Sequence, residues 1–226
     1  MGKRQDFRNK QQQKIRKQQL TALIIIMVMA VLISGFVILQ SLKPVGEIKT
    51  LEIRNHPQVN ELTMGNPEAK IVVEEFSDFQ CVACYRFWQN SEPEFIDKYV
   101  ATGKVFYKYS PFSFIGEESF QAAEAAYCAN EKGKFWDYHD MLFTNWTGEN
   151  IGNFNNLRLI AFATSIGLDE KEFKSCFNSN KYDSEVKQGV VYGNQNGVNA
   201  TPSFFVNGQL VYSDALFSTI DSLLAE

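Results

Sequence analysis

The pattern of apolar and polar positions divides this chain into an apolar segment, a strand-and-helix region, a long helical block, and a closing hairpin with its helix. Residues 20–39, LTALIIIMVMAVLISGFVIL, are mostly apolar and meet no charge before Lys43, a length that crosses the hydrocarbon core of a bilayer as one helix. Residues 43–63 contain Pro44, Gly46 and Pro57 without firm periodicity, which predicts a tether with one short strand over 48–53. After a turn through Gly65, Asn66 and Pro67, IVVEEF opens with a β-branched run, the mark of a strand covered on both faces. A loop over 77–80 leads into a helix from Cys81. There Tyr85, Trp88, Phe95, Ile96 and Tyr99 recur at helical spacing, and Pro93 is set to kink or divide the helix. KVFYKYS, residues 104–110, predicts the next strand.

From 117 to about 180 the pattern turns helical. EESFQAAEAAYCANEKGKFWDYHDMLF is rich in alanine and other strong helix formers and is broken at Gly133. NFNNLRLIAFATSIG and DEKEFKSCF follow, the first closed by Gly167 and the second opened by Asp169 as N-cap. One more helix covers 182–195. TPSFFVNGQLVY then reads as a hairpin about an Asn207-Gly208 turn of type I′, and 214–225 as an amphipathic helix. A strand–helix–strand half and a hairpin–helix half therefore flank a block of about 65 residues. That is too long for an ordinary connection, and it predicts an α/β fold with an inserted helical domain.

Charge adds a direction. Before residue 18 there are seven basic residues and only Asp6, which leaves 15 basic and 25 acidic residues in the rest of the 226-residue chain. A basic head on an acidic body argues against nucleic acid as the partner. A secretory signal peptide has an apolar region of about 7–15 residues and a small-residue cleavage site. QSLKPVG offers no such site, so an uncleaved signal anchor is preferred, with a cleaved signal peptide as the alternative. With the Lys/Arg-rich flank held inside, residues 43 onward lie outside, in a single-pass plasma-membrane protein whose folded part is extracytoplasmic. Disulfides persist there, and the four cysteines, Cys81, Cys84, Cys128 and Cys176, are even in number.

FSDFQCVACYRFW holds the chemistry. A closed zinc site needs four ligands and this C-x-x-C supplies two, while His56 and His139 show no ligand spacing, so no metal is expected. A purely structural bond across so short a loop would stabilise little. A strand that ends, a loop, and Cys81 at a helix N-terminus with Cys84 one turn behind is instead an arrangement for redox exchange. The helix dipole and free N–H groups favour thiolate at Cys81, which attacks or is attacked, and Cys84 resolves the mixed disulfide. Phe76, Phe79, Phe87 and Trp88 around the motif are either core or the lining of an apolar substrate groove.

EFSDFQCVAC, the later ATPSFFVNG and the helical block between them resemble the DsbA-like thiol–disulfide oxidoreductases of the thioredoxin superfamily, especially membrane-anchored extracytoplasmic members. The resemblance covers about 64–226. It implies a thioredoxin fold with a helical insertion at about 117–180; ahead of it the residue pattern itself gives a basic cytoplasmic segment (1–19), a membrane anchor (20–42) and a linker (43–63). It also implies Cys81 as the exposed nucleophile, Cys84 as its buried partner, and Pro202 as a cis-proline facing them, with Thr201 offering its backbone to an extended substrate. Glu75 falls where members carry a buried acid, which can relay the proton of Cys84. The implied pairing of Cys128 with Cys176 is structural, an electron relay to Cys81 and Cys84 being the alternative. No bound cofactor is implied. The implied partners are exported proteins carrying thiols or disulfides and a membrane redox partner. Disulfide formation is the preferred direction. Reduction or isomerisation is the alternative, and a redox-silent substrate-binding or chaperone module the rival from another class.

The dipeptide between the cysteines departs from the family pattern, which favours proline or histidine; here it is Val82-Ala83, with neither charge nor hydrogen-bond donor in its side chains. A helix terminus contributes about 0.3–2 kcal/mol, whereas lowering a thiol from about 8.5 to the DsbA value near 3.5 takes about 7 kcal/mol. The dipole alone falls short. Alkylation of Cys81 against pH is therefore expected to show half-ionisation near the thioredoxin value of about 7, and a midpoint below about 4.5 contradicts this account.

Overall fold

The computed structural model describes residues 2–41, 46–52 and 54–226, with side chains of the first helix described over 16–36. The chain forms two units, 1–44 and 45–226. The first is helix α1 (Gly2–Ser41), in which Arg16–Phe36 is long and apolar enough to cross a membrane. Lys3, Arg4, Arg8, Lys10 and Lys14 lie outside the described side chains, and 42–45 and Ile53 outside the described residues.

The second unit is built on a five-stranded sheet in the order β1-β3-β2-β4-β5, from β1 (Thr63–Met64), β2 (Ile71–Ser77), β3 (Val105–Pro111), β4 (Ser203–Val206) and β5 (Gln209–Tyr212). β2 lies at the centre, parallel to β3 and antiparallel to β4, with Glu75 in register with Tyr109 on one side and Phe204 on the other. Between β2 and β3 run α2 (Val82–Asn90), α3 (Glu92–Phe95) and a π-helical turn (Ile96–Val100); Pro93 in the first turn of α3 marks the division. The β-branched run of β2 is covered less evenly than its composition predicts. Val72 is 36% exposed and Glu74 half-buried, because the helix on that face reaches only the end of the strand, where Phe76 is buried.

That helix is α8 (Asp183–Gln195). It comes close enough to the end of β3 that a Cβ on Gly189 would sit 2.8 Å from the Pro111 carbonyl oxygen, and one on Gly193 2.5 Å from the Phe112 ring. Before it come α4 (Glu117–Asn130), α5 (Phe135–Thr144), α6 (Asn156–Ser165) and α7 (Glu170–Asn178). α4 packs on all four of α5 to α8. Its small residues Ala122, Ala123, Ala125, Ala126 and Ala129 are fully buried there, and their size lets the neighbours close in. Asp169 caps α7 by accepting from Glu172 N at 2.8 Å. The hairpin turn has positive φ at both Asn207 (48°) and Gly208 (84°), the type I′ requirement. α9 (Leu216–Leu224) closes the chain, burying Leu216 and Ile220.

Residues 46–52 form no strand, contrary to the expectation for 48–53. The backbone of Lys49 is taken by a side chain instead, with Lys49 N donating to Asn145 Oδ1 at 2.8 Å and Asn145 Nδ2 donating to Lys49 O at 3.3 Å. Nor does the described part of this stretch hang free as a tether. Ile48 and Leu51 pack on the core, and the Arg54 guanidinium lies 3.7 Å over the Trp88 ring.

Cys128 in α4 and Cys176 in α7 are joined by a disulfide across 48 residues of sequence. Closing so long a loop restricts the unfolded chain, and replacing both cysteines by alanine is expected to cost about 4 kcal/mol in non-reducing urea melts. A loss below about 1 kcal/mol would leave the bond without a structural role.

Candidate active site

β2 delivers the chain to the site with Ser77, and a tight turn aims it into α2. Asp78 makes that turn. Its Oδ1 accepts from Gln80 N at 2.8 Å, its carbonyl from Cys81 N at 3.0 Å, and its Oδ2 from Phe114 N and Ile115 N at 2.9 and 3.1 Å, so one buried carboxylate holds two loops. Cys81 is the N-cap of α2 and has no side-chain cap hydrogen bond, which leaves the helix N–H groups facing its sulfur; Cys84 stands one turn in. Both are free thiols. Cys81 keeps 8% of its surface exposed against 1% for Cys84, a narrower opening than the exposed nucleophile of the expectation. The loop before β4 explains the narrowness. It carries the cis bond Thr201-Pro202, and the Cys81 thiol donates to Thr201 O at 3.5 Å.

The two thiols are driven apart. Cys81 is lowered to about 6, chiefly because the Cys84 thiol donates to it. Burial opposes the shift, while the Thr201 hydroxyl and the N–H groups of Cys84 and Ala83 add to it. That hydroxyl is buried and makes no hydrogen bond of ordinary geometry, which leaves it available to the sulfur. Cys84 is raised well above the ordinary thiol range by burial first, then by holding its hydrogen toward Cys81 and by the charges on Cys81 and Glu75. Glu75 is buried on β2 and pushed up to about 7 by desolvation, although Tyr107 and Ser77 hydroxyls favour its charge; the Cys81 thiolate raises it further. The Tyr107 hydroxyl donates to Glu75 Oε2 at 2.5 Å. A lowered thiol, a raised thiol and a raised acid thus influence one another at the start of α2.

These features have counterparts among known proteins. A family model described as "Thioredoxin" matches residues 58–226. The chain belongs to the thioredoxin family. Within it the likeness is to DsbA-like thiol–disulfide oxidoreductases, and the fold is a thioredoxin fold with a helical insertion. A Rickettsia felis protein named as a protein-disulfide oxidoreductase is 27% identical over 184 residues, covering 80% of this chain and 66% of the relative. The chain thus spans just under two thirds of that relative's length. A Bacillus cereus protein named disulfide bond formation protein D is 28% identical over 162 residues, 67% of this chain and 72% of the relative. The crystal structure of oxidised BdbD from Bacillus subtilis superposes with a TM-score of 0.69 at 21% identity, covering 79% of this chain and all of the other.

Within this thioredoxin-family site, Glu75, Cys81, Cys84, Thr201 and Pro202 lie together, while Cys128 and Cys176 sit apart between α4 and α7. Phe76, Phe79, Phe87 and Trp88 are core side chains, 1–7% exposed, and line no groove. Sequence reasoning missed Asp78, Gln80 and Tyr107, whose roles come from partners 25 or more residues away. It also missed a buried ionic cluster behind α2, where Glu92, His139 and Asp140 bring ligand-type atoms within 4.8 Å of one another. Asp140 Oδ1 accepts from Trp88 Nε1 at 2.8 Å, its Oδ2 pairs with His56 Nε2 at 3.0 Å, and Arg54 faces Glu92 at 3.8 Å. Burial, and then the Asp140 charge, push the Glu92 carboxyl well above its ordinary range, whereas Asp140 is lowered, against burial, by its hydrogen bonds to His139 and His56, so the two acids of the cluster are held in different states. The tandem FWDYHD in α5 was its only signal.

Because the Glu75 carboxyl is raised in the folded protein from 4.5 to about 7, its contribution to stability is complete below pH 4.5 and lost as pH climbs through 7. Glu75→Gln is therefore expected to match the parent near pH 4.5 and to exceed it by about 3 kcal/mol near pH 8 in urea melts of the reduced protein. Equal stability at both pH values would mean that the acid is not held in an apolar setting.

Proposed function

We propose that this protein is an extracytoplasmic protein thiol–disulfide oxidoreductase, anchored by α1, that forms disulfides in exported proteins through Cys81 and Cys84. The observation that carries the reading is Cys81 at the N-cap of α2 against the cis Thr201-Pro202 loop, with Cys84 buried one turn behind, a geometry in which Cys81 is lowered to about 6 and Cys84 raised well above its ordinary range. A substrate thiolate attacks Cys81 Sγ of the oxidised pair, the Cys81–Cys84 bond breaks, and Cys84 leaves with the electron pair and takes a proton from Glu75. A second substrate thiolate then attacks the substrate sulfur of the mixed disulfide, and Cys81 leaves as thiolate. Two electrons pass to the enzyme pair, and a membrane partner that accepts them restores the disulfide. The backbone of Thr201, beside the cis bond to Pro202, is the edge on which an extended substrate segment pairs.

Direction follows from the leaving group. A stabilised Cys81 thiolate favours the reduced enzyme and so makes its disulfide oxidising. A value of about 6 lies between those of thioredoxin, about 7, and DsbA, about 3.5, which supports a milder oxidant than DsbA. The basic flank of α1 supports the orientation that places residues 43 onward outside the cytoplasm.

The potential of the Cys81/Cys84 couple, titrated against glutathione, is expected between about −270 and about −120 mV; a value at or below about −270 mV assigns the protein as a reductase. Cys81→Ser is expected to abolish disulfide formation in a reduced model substrate. Retention of the full effect would mark a binding module that needs no sulfur chemistry.

A further inference from the structure

The loop between α5 and α6 brings one more acid to the start of α2. Trp146 anchors it, with Nε1 donating to Gln80 O at 2.7 Å and its ring stacked on Tyr85 at 4.7 Å between centroids. Asn150 N donates to Gln80 Oε1 at 2.6 Å, and Gln80 Nε2 donates back to Asn150 Oδ1 at 3.2 Å. Gln80 is fully buried, so the loop is clamped to the residue just before Cys81. On its far side Glu118 of α4 accepts from Gly152 N and Phe154 N, both at 2.7 Å. Between the two anchors stands Glu149, the sole charged residue from 141 to 157, and its Oε1 accepts from Val82 N at 3.2 Å.

Val82 is the first residue of α2, and Cys81 is its cap. The Cys81 sulfur draws on the N–H groups of Ala83 and Cys84, so a carboxylate and a thiolate share one positive helix end. Bond lengths along Cys81 and Val82 put the two charges within about 7 Å. The other ionisable groups facing Cys81 are Cys84 from α2 and Glu75 from β2, with Asp78 bound into the preceding turn; the segment 196–202 on the opposite wall carries no charged residue.

We propose that Glu149 is an electrostatic brake on the active-site thiol: its carboxylate occupies the positive end of α2, disfavours the Cys81 thiolate, and makes the Cys81–Cys84 disulfide a weaker oxidant. The inference rests on Cys81 being the reactive thiol. Glu149 acts through Cys81, as a positioning residue. Coulomb's law at that separation, in the near-aqueous dielectric of an exposed side chain, gives about half to one unit in the thiol titration.

Glu149→Gln tests it in the full-length protein held in detergent, because the amide keeps an acceptor for Val82 N–H and removes only the charge. In the reduced protein, the iodoacetamide reaction of Cys81 against pH is expected to show a midpoint lower by about half to one unit at 50 mM salt, with the gap shrinking at 1 M salt as screening shortens. The glutathione equilibrium is expected to shift about 3- to 10-fold toward the reduced enzyme, which is about 14–30 mV. Identical midpoints at low salt overturn the brake and leave the thiol chemistry standing. A gap that persists undiminished at 1 M salt also overturns it, as a structural effect. A parent Cys81 that does not ionise below pH 9 overturns the reading of the site, and the brake with it.

Discussion

Two sulfurs hold one proton between them where a helix begins, and the rest of this thioredoxin-family domain is arranged about that sharing. Cys84 is enclosed and keeps its hydrogen; Cys81, at the cap, keeps an opening to solvent and receives that hydrogen bond. Burial alone would push both thiols up. What separates them is the hydrogen bond from Cys84, which lowers Cys81 and raises Cys84, with the N–H groups of Cys84 and Ala83 adding to it on the Cys81 side. The separation makes one sulfur a good leaving group and the other a poor one, the asymmetry that directed disulfide exchange requires.

That asymmetry depends on elements far away in the chain. β2 carries Glu75 inward because it is paired on both sides, in register with β3 and β4, and the same pairing brings the Tyr107 hydroxyl onto the carboxylate. The turn that aims Cys81 is held by Asp78 reaching across to residues 114 and 115 and by Gln80 reaching across to 119 and 150. The helical insertion therefore supplies one wall of the site as well as bulk. Its disulfide joins α4 to α7 and involves neither Cys81 nor Cys84. Behind α2, Arg54 faces Glu92 and His56 pairs with Asp140 in a buried polar cluster. Arg54 and His56 come from the stretch whose composition suggests a tether, and their pairing explains why it is bound down.

Much of this was legible in the pattern of residues. The apolar run of α1, the break at Pro93, the caps at Asp169 and Gly167, and the Asn207-Gly208 turn are local signals, each governed by a few neighbouring backbone groups. Cys81 and Cys84 could be found because their spacing and their place after a strand carry the chemistry within a dozen residues. Strand 48–53 failed for a corresponding reason. Its composition permits extension, but nothing local reveals that Asn145, 96 positions on, takes the backbone of Lys49. The aromatics about the motif had two possible fates, and only packing against β4 and α5 decided for core.

The amino-acid order alone determined most of the helices and strands from residue 71 on, where the reactive pair sits, and that an apolar helix precedes an acidic domain, because these follow from periodicity, turn chemistry and residue type within short windows. Only the tertiary structure decided how far Cys81 is open, which acid is buried beside it, and that Asp78, Gln80 and Glu149 converge on one helix end. Those outcomes are set by desolvation and hydrogen bonds between groups up to 120 residues apart, and such distances leave no trace in local sequence.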